Sequence, residues 1–393
     1  MKTRLTHTLI VLILSCHVTA LFAWGSPPPP KPDPVATPAP EPDPIPDPVP
    51  EPDPIPEPDP APEPDPVPEP DPVIEPDPVV ITPTGQGVFF NAFSDMNINT
   101  RGDYSSHTIN VVQQMVNSAP DLIIGVGDYI DGEKRKLSDS SYRRMWNSFF
   151  SRVLGPITES GIPFLPSPGN HDAYYQQEQK IYQEQWEPRR PVIDFVDATH
   201  YPFYYSFMKG GVFFVSLDDA RYSSLKNHGV QIDWLKQQLG SVKAQKAVAK
   251  VVYGHIPLYS VVSKSRNSNT IYHNGALKNE RRSRRGDDSL EAVLIDHQVD
   301  LVIFGHSHAF FSGHYRYSDG SELKVLSLPC SGGTRRYLLG TDIKTNYGYL
   351  EVSISAQGEI DHRYLNSRGE EESNAHFPNR LAIDPAHDVY YDR

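Results

Sequence analysis

From residue 87 onward, apolar and polar positions fall into a repeating order. Val88-Phe89-Phe90-Asn91-Ala92-Phe93 is a nearly continuous apolar run of strand length, the pattern of a strand buried on both faces. Residues 105–119 follow with Ile109, Val112, Met115 and Val116 at helical spacing. Leu122-Ile123-Ile124-Gly125-Val126 repeats the strand pattern. Residues 142–160 repeat the helical one, with Met145, Phe149, Phe150 and Leu154 on one face. The same reading predicts strands at 162–165, 212–217, 247–253 and 299–304, and helices at 231–239 and 289–297. Residues 324–327, 347–354 and 359–364 read as late antiparallel strands. Strand and helix alternate through the first two thirds and strands dominate thereafter. That is an α/β fold with mixed sheets and helices on the outside.

The polar residues between these elements are not scattered. Five predicted strands end on short motifs: Asp95-Met96-Asn97, Gly127-Asp128, Gly169-Asn170-His171-Asp172, Gly254-His255 and Gly305-His306-Ser307-His308. Ligands of layered α/β folds bind beyond the carboxyl ends of strands, and all five motifs fall there. If 305–308 is extended, His306 and His308 point to one side. Asp95, Asn97, Asp128, Asn170, His255, His306 and His308 are all capable of ligating a cation. Carboxylate, amide and imidazole donors suit Mn, Fe or Zn rather than a metal that prefers thiolates. Two cations bridged by one carboxylate can clamp a phosphoryl group and activate water, so no Ser or Cys nucleophile is required.

These motifs, in this order over about 88–364, resemble the calcineurin-like metallophosphoesterase superfamily, which includes purple acid phosphatases and cyclic nucleotide phosphodiesterases. The resemblance implies a four-layer αββα sandwich with two mixed β-sheets flanked by helices. It implies one metal held by Asp95, Asp128 and His308, and a second held by Asp128, Asn170, His255 and His306. It implies that His171 faces the substrate and that Asp172 orients His171 through a hydrogen bond. One position departs from the family pattern: Asn97 stands where histidine is usual. Its weaker amide donor implies an oxygen-richer first site that favours Mn or Fe over Zn. Asp131 is read as a supporting residue behind the ligands.

Two further basic groups bear on the chemistry. Arg335 and Arg336 follow Gly332-Gly333 and can reach a phosphate in bidentate fashion, or pair at the surface. Lys278, Arg281, Arg282, Arg284 and Arg285 sit in a polar insert balanced by Glu280, Asp287 and Asp288, and read as a solvated loop.

Composition changes the picture only at the N-terminal end. Residues 1–23 carry Lys2 and Arg4, an apolar run at 9–14 and small residues near Ala23, the layout of a secretory signal peptide. Ile13-Leu14-Ser15-Cys16 also resembles a bacterial lipoprotein box, which would leave Cys16 lipidated as a membrane tether. Residues 24–84 form a spacer of Glu-Pro-Asp-Pro units. Its stretch 26–84 holds 27 of the 39 prolines and 14 acidic residues against Lys31, which accounts for the whole chain's net charge of −13. Such a segment is expected to be extended, reaching on the order of 180 Å at about 3.1 Å per residue. The remaining domain, 85–393, is nearly neutral, so a nucleic-acid partner is not expected. Apart from Cys16 the chain has one cysteine, Cys330, read as a small buried residue; the fold does not depend on a disulfide.

The sequence therefore reads as a secreted, periplasmic or cell-surface hydrolase of small phosphorylated substrates, using two metal ions, with phosphomonoesters favoured. A phosphodiesterase of the same fold is the first alternative. A non-catalytic surface binding module with a degraded metal site is the second. Nothing in the pattern selects an oligomeric state.

Overall fold

Apolar runs with both faces covered become central strands, and in the computed structural model they do. The structure describes residues 86–134, 137–219, 229–272, 289–317, 319–384 and 389–393. The signal peptide expected at 1–23, the spacer expected at 24–84 and the basic insert from Lys278 to Arg285 lie outside the described residues.

The strands are β1 (Val88–Phe93), β2 (Leu122–Val126), β3 (Phe164–Ser167), β4 (Asp194–Asp197), β5 (Tyr205–Lys209), β6 (Val212–Ser216), β7 (Ala249–Gly254) and β8 (Val262–Ser263). They continue with β9 (Leu301–Phe304), β10 (Phe311–Arg316), β11 (Glu322–Ser327), β12 (Tyr337–Leu338), β13 (Gly348–Ile354), β14 (Ile360–Asn366), β15 (Arg380–Asp384) and β16 (Val389–Asp392). One sheet has the order β14-β13-β1-β2-β3, the other β15-β16-β10-β11-β9-β7-β6-β5-β4, and β8 pairs with β12 in a short ribbon. Both large sheets are mixed. β1 runs parallel to β2 and antiparallel to β13. β6, β7, β9 and β11 are mutually parallel, with antiparallel neighbours at both sides.

Alternation along β1 and β2 sorts their side chains between two cores. Phe90, Ala92, Leu122, Ile124 and Val126 face the second sheet, where Phe90 meets Phe214 edge-on at 5.4 Å. Phe93 and Ile123 face outward, into a helical layer. That layer contains α1 (Ser106–Asn117), α2 (Asp139–Phe149), α3 (Gly155–Glu159), the four-residue α4 (Asn170–Ala173) and α5 (Gln176–Trp186). On the far side, α6 (Gly229–Leu239), α7 (Val242–Gln245) and α8 (Leu290–Asp296) bury Ile232, Leu235, Leu239, Ala244, Val293 and Leu294 against the nine-stranded sheet. The layers are αββα, as the resemblance implied.

Three details differ from the pattern reading. The helix predicted over 142–160 starts at Asp139, capped by Ser138, and is broken by a π turn at Phe150–Leu154. Strand β11, expected to be antiparallel, is antiparallel only to β10; it inserts between β10 and β9 and runs parallel to β9. Helix α5 and strands β4 and β5 carried no periodic signal strong enough to predict. In α5 only Glu178, Ile181, Tyr182 and Trp186 are buried.

Trp146 is fully buried among Tyr129, Phe149, Tyr182 and Trp186. Trp146→Ala is expected to lower unfolding free energy by about 3–5 kcal/mol in urea titration. A loss below about 1 kcal/mol would contradict this packing.

Candidate metal centre

Five strands end at one edge of the sandwich, each on a residue with a donor for a cation. β1 leads to Asp95 and Asn97, β2 to Asp128, β3 to Asn170, β7 to His255, and β9 to His306 and His308. The first three strands belong to one sheet and the last two to the other. Main-chain bonds lash the ends together. Asp95 N–H donates to Gly127 O at 3.1 Å, Asn97 N–H to Asp128 O at 3.0 Å, and Gly305 N–H to His255 O at 3.1 Å.

To turn their side chains into this edge, most of these residues leave extended backbone. The φ angles are +57° at Asp95, +49° at Asn97, +56° at Asp128, +61° at His306 and +55° at His308. Each left-handed residue other than glycine costs on the order of 1–3 kcal/mol and persists only where its surroundings dictate it. This corrects the extended reading of Gly305–His308. Ser307 N–H folds back onto Gly305 O at 2.6 Å, and the two imidazoles serve different clusters.

Donor atoms of Asp95, Asp128 and His308 lie within 4.8 Å of one another, as do those of Asp128, His255 and His306. Asp128 belongs to both groups, and all five side chains are buried. His308 Nε2 is 2.9 Å from Asp95 Oδ1, and His255 Nε2 is 3.2 Å from Asp128 Oδ2. The other ring nitrogens face carbonyl oxygens: His255 Nδ1 meets Val126 O at 2.7 Å, and His308 Nδ1 meets Thr334 O at 2.8 Å. A carbonyl only accepts, so Nδ1 carries a proton, and once the imidazole is neutral its Nε2 is the inward lone pair, the tautomer of a metal ligand.

Two asparagines supply an independent test of fit. Asn97 Oδ1 and Asn170 Oδ1 are buried and accept a hydrogen bond from none of the described residues. A buried amide oxygen left in that state costs about 1–3 kcal/mol. Beside carboxylates and imidazole lone pairs, a cation is the partner that suits it. Asn97 is held close to His308 by the bareness of Gly333: a Cβ there would stand 2.3 Å from Asn97 Oδ1 and 2.8 Å from His308 Cε1.

Electrostatics follow the same arrangement. Burial raises the pKa of Asp95 more than any single interaction lowers it, but the charge and hydrogen bond of His308, with the His255 charge, together outweigh it and bring the group to about 2. Asp128 is likewise opposed by burial and held below the usual carboxylate range, chiefly by His255 and His171. Burial lowers His255, yet Asp128 outweighs it and raises the imidazole to about 10. His171 is opposed by desolvation yet also raised, by the Asp128 charge, the Gly132 carbonyl and the Glu133 and Asp131 charges together.

His171 stands beside the clusters. Its Nε2 is 3.9 Å from Asp128 Oδ2, and its Nδ1 is 3.0 Å from Gly132 O. Asp172 does not perform the task expected of it. Its carboxylate takes the N–H groups of Tyr129 and Ile130 on Oδ1, and those of Asp128 and Gly169 on Oδ2, at 2.7–3.2 Å. It clamps the β2 and β3 loops together, and the Gly132 carbonyl orients the His171 ring instead. The reason is local: Asp172 lies in the first turn of α4, where its carboxylate caps Gly169.

Asp219, just past β6, is a second clamp that the motifs did not reveal. It accepts from His255 N–H at 2.9 Å and Ile256 N–H at 3.0 Å. Its only sequence signal is an acidic residue at the end of an apolar run. Arg336 donates to the His306 carbonyl and packs near the Tyr272 ring, while Arg335 donates to Asn346 Oδ1 at 3.0 Å and lies over Tyr347. Asp131 lies 3.7 Å from His171 Nδ1 and pairs with Lys134. Cys330 is buried, and burial pushes its thiol up, consistent with a packing role.

Residues 90–310 match the family model described as calcineurin-like phosphoesterase. The chain is 24% identical over 220 residues to purple acid phosphatase 15 of Arabidopsis thaliana, covering 52% of this chain and 38% of that protein. It is 25% identical over 286 residues to the serine/threonine-protein phosphatase CPPED1 of Rattus norvegicus, covering 70% of this chain and 78% of that protein. Among solved structures, purple acid phosphatase PPD1 from yellow lupin (Lupinus luteus) seeds superposes with a TM-score of 0.54 at 15% identity, over 74% of this chain and 53% of that one.

Asp172→Asn leaves one acceptor oxygen for four N–H groups, so at least two lose their partner. The expected loss is roughly 2–5 kcal/mol in urea unfolding. Stability within about 1 kcal/mol of wild type would show that Asp172 is no clamp.

Proposed function

Because this chain belongs to the calcineurin-like phosphoesterase family, we propose that it is an exported, metal-dependent hydrolase of phosphoric esters, with small phosphomonoesters as its substrates. The supporting observation is the pair of ligand clusters that meet at Asp128, flanked by the donor-free amide oxygens of Asn97 and Asn170. In this reading Asp95, Asn97, Asp128 and His308 hold one cation, and Asp128, Asn170, His255 and His306 hold the other. The first set is rich in oxygen and suits Mn or Fe. When bound, the cations supply Lewis acidity toward phosphoryl oxygens and ease the loss of a proton from water.

The protein's own groups do the rest. His171, with Nδ1 directed at the Gly132 carbonyl, presents Nε2 on the Asp128 side of the site and can hold the proton that the leaving alcohol takes. Arg336, anchored on the His306 carbonyl, has guanidinium nitrogens to spare for a phosphate oxygen; Arg335 is the outer candidate. The relatives carry phosphatase names, which supports the choice of reaction.

Residues 85–393 form the catalytic domain in this reading, delivered outside the cell by the leader at 1–23 and held on the spacer at 24–84. Among the described residues no helix is long and apolar enough to cross a membrane.

The full-length protein is expected to bind two metal ions and to turn over p-nitrophenyl phosphate faster than its bis ester in the presence of Mn. Chelation should abolish turnover, and His171→Ala should lower kcat by about 10²–10⁴-fold. Preference for the bis ester would select the diesterase instead. No bound metal and no turnover with any divalent cation would overturn the catalytic reading and leave a surface binding module.

A further inference from the structure

The loop after β2 passes over His171 as Asp131-Gly132-Glu133-Lys134, and Glu133 is its unexplained member. It has left-handed backbone, with φ +62°, at a residue with a long side chain. The strain is anchored from behind. Glu133 N–H donates to Glu178 Oε1 at 2.6 Å, and the buried Glu178 carboxylate also takes Tyr142 O–H at 2.5 Å and Tyr175 N–H at 2.9 Å. So placed, the Glu133 side chain turns back to the site. Its Oε2 accepts from Asn170 Nδ2 at 2.8 Å and lies 3.8 Å from His171 Nε2.

An ionised carboxylate can only accept hydrogen bonds. It therefore dictates which end of the Asn170 amide faces it, namely the NH₂ group. The opposite end, Oδ1, is the one that is buried and takes no hydrogen bond from the described residues. Reversing the amide would set two acceptor oxygens against each other at Glu133. It would also turn two N–H donors toward the site where a cation is to bind.

We propose that Glu133 is a positioning residue of the metal site: it locks the Asn170 amide so that Oδ1, and not Nδ2, is offered as a ligand. This rests on the reading that Asn170 holds a cation. Sequence inspection passes over it because Glu133 lies five residues beyond Asp128 in a polar loop with no ligand motif of its own.

The test is calorimetric titration of the metal-stripped full-length protein with Mn, comparing wild type, Glu133→Ala, Glu133→Gln, Asn170→Ala and the Glu133→Ala/Asn170→Ala double variant. Glu133→Ala is expected to weaken one of two Mn equivalents about tenfold or more, the usual effect of losing a group that orients a ligand. Glu133→Gln, isosteric and still able to accept, should recover most of that loss. In the Asn170→Ala background, Glu133→Ala should cost nothing further, because the two act through one bond. Wild-type affinity in Glu133→Ala, equal losses in the Ala and Gln variants, or additive losses in the double variant would each overturn the proposal. If Asn170→Ala itself binds Mn like wild type, the metal reading of Asn170 fails, a result distinct from failure at Glu133 alone.

Discussion

A carboxylate buried without counter-charge costs several kcal/mol, and Asp128 is buried. Everything around it answers that constraint. Its Oδ1 accepts the main-chain N–H of His171 at 2.9 Å, and its Oδ2 is 3.2 Å from His255 Nε2. Besides His171, which follows β3, the imidazoles that meet it come from β7 and β9, in the opposite sheet. The site therefore depends on the register of the whole sandwich. Contacts such as Phe90 on Phe214, well below the edge, set how closely the two rows of strand ends approach.

Convergence also demands backbone that strands do not favour. Five of the seven candidate ligands are left-handed. Carboxylates hold these turns by accepting main-chain N–H groups. Asp172 gathers four of them, Asp219 secures His255 and Ile256, and Asp95 Oδ2 takes the His306 N–H at 3.0 Å while Ser94 Oγ donates to the same oxygen at 2.6 Å. Asp95 thus has one oxygen committed to the scaffold and the other, Oδ1, near His308. Rigidity of this kind keeps ligand atoms in place before any ion arrives.

Much of this was legible in the sequence because strands buried on both faces read as plain apolar runs. Any Asp, Asn or His at the end of such a run stands out, so Asp95, Asp128, Asn170, His255, His306 and His308 could all be named. What was not legible depended on direction in space. Asp172 follows His171 directly, yet its carboxylate turns into the β2 loop; nothing in the letters distinguishes that from a bond to the imidazole. Glu133 and Asp219 act through hydrogen bonds to residues far along the chain. The turn at His306 and His308 was invisible because left-handed backbone leaves no mark in a His-x-His spacing. Helix α5 was hidden by its polarity, since its inward face is a Glu, an Ile and two aromatic residues carrying polar atoms.

The central claim is that one carboxylate, Asp128, is shared by two cation sites. Anomalous X-ray diffraction from crystals of the protein soaked in Mn tests it most directly. The account predicts two peaks about 3.5–4 Å apart, one bounded by Asp95, Asp128 and His308, the other by Asp128, Asn170, His255 and His306. A single peak, or peaks that do not both contact Asp128, would contradict it.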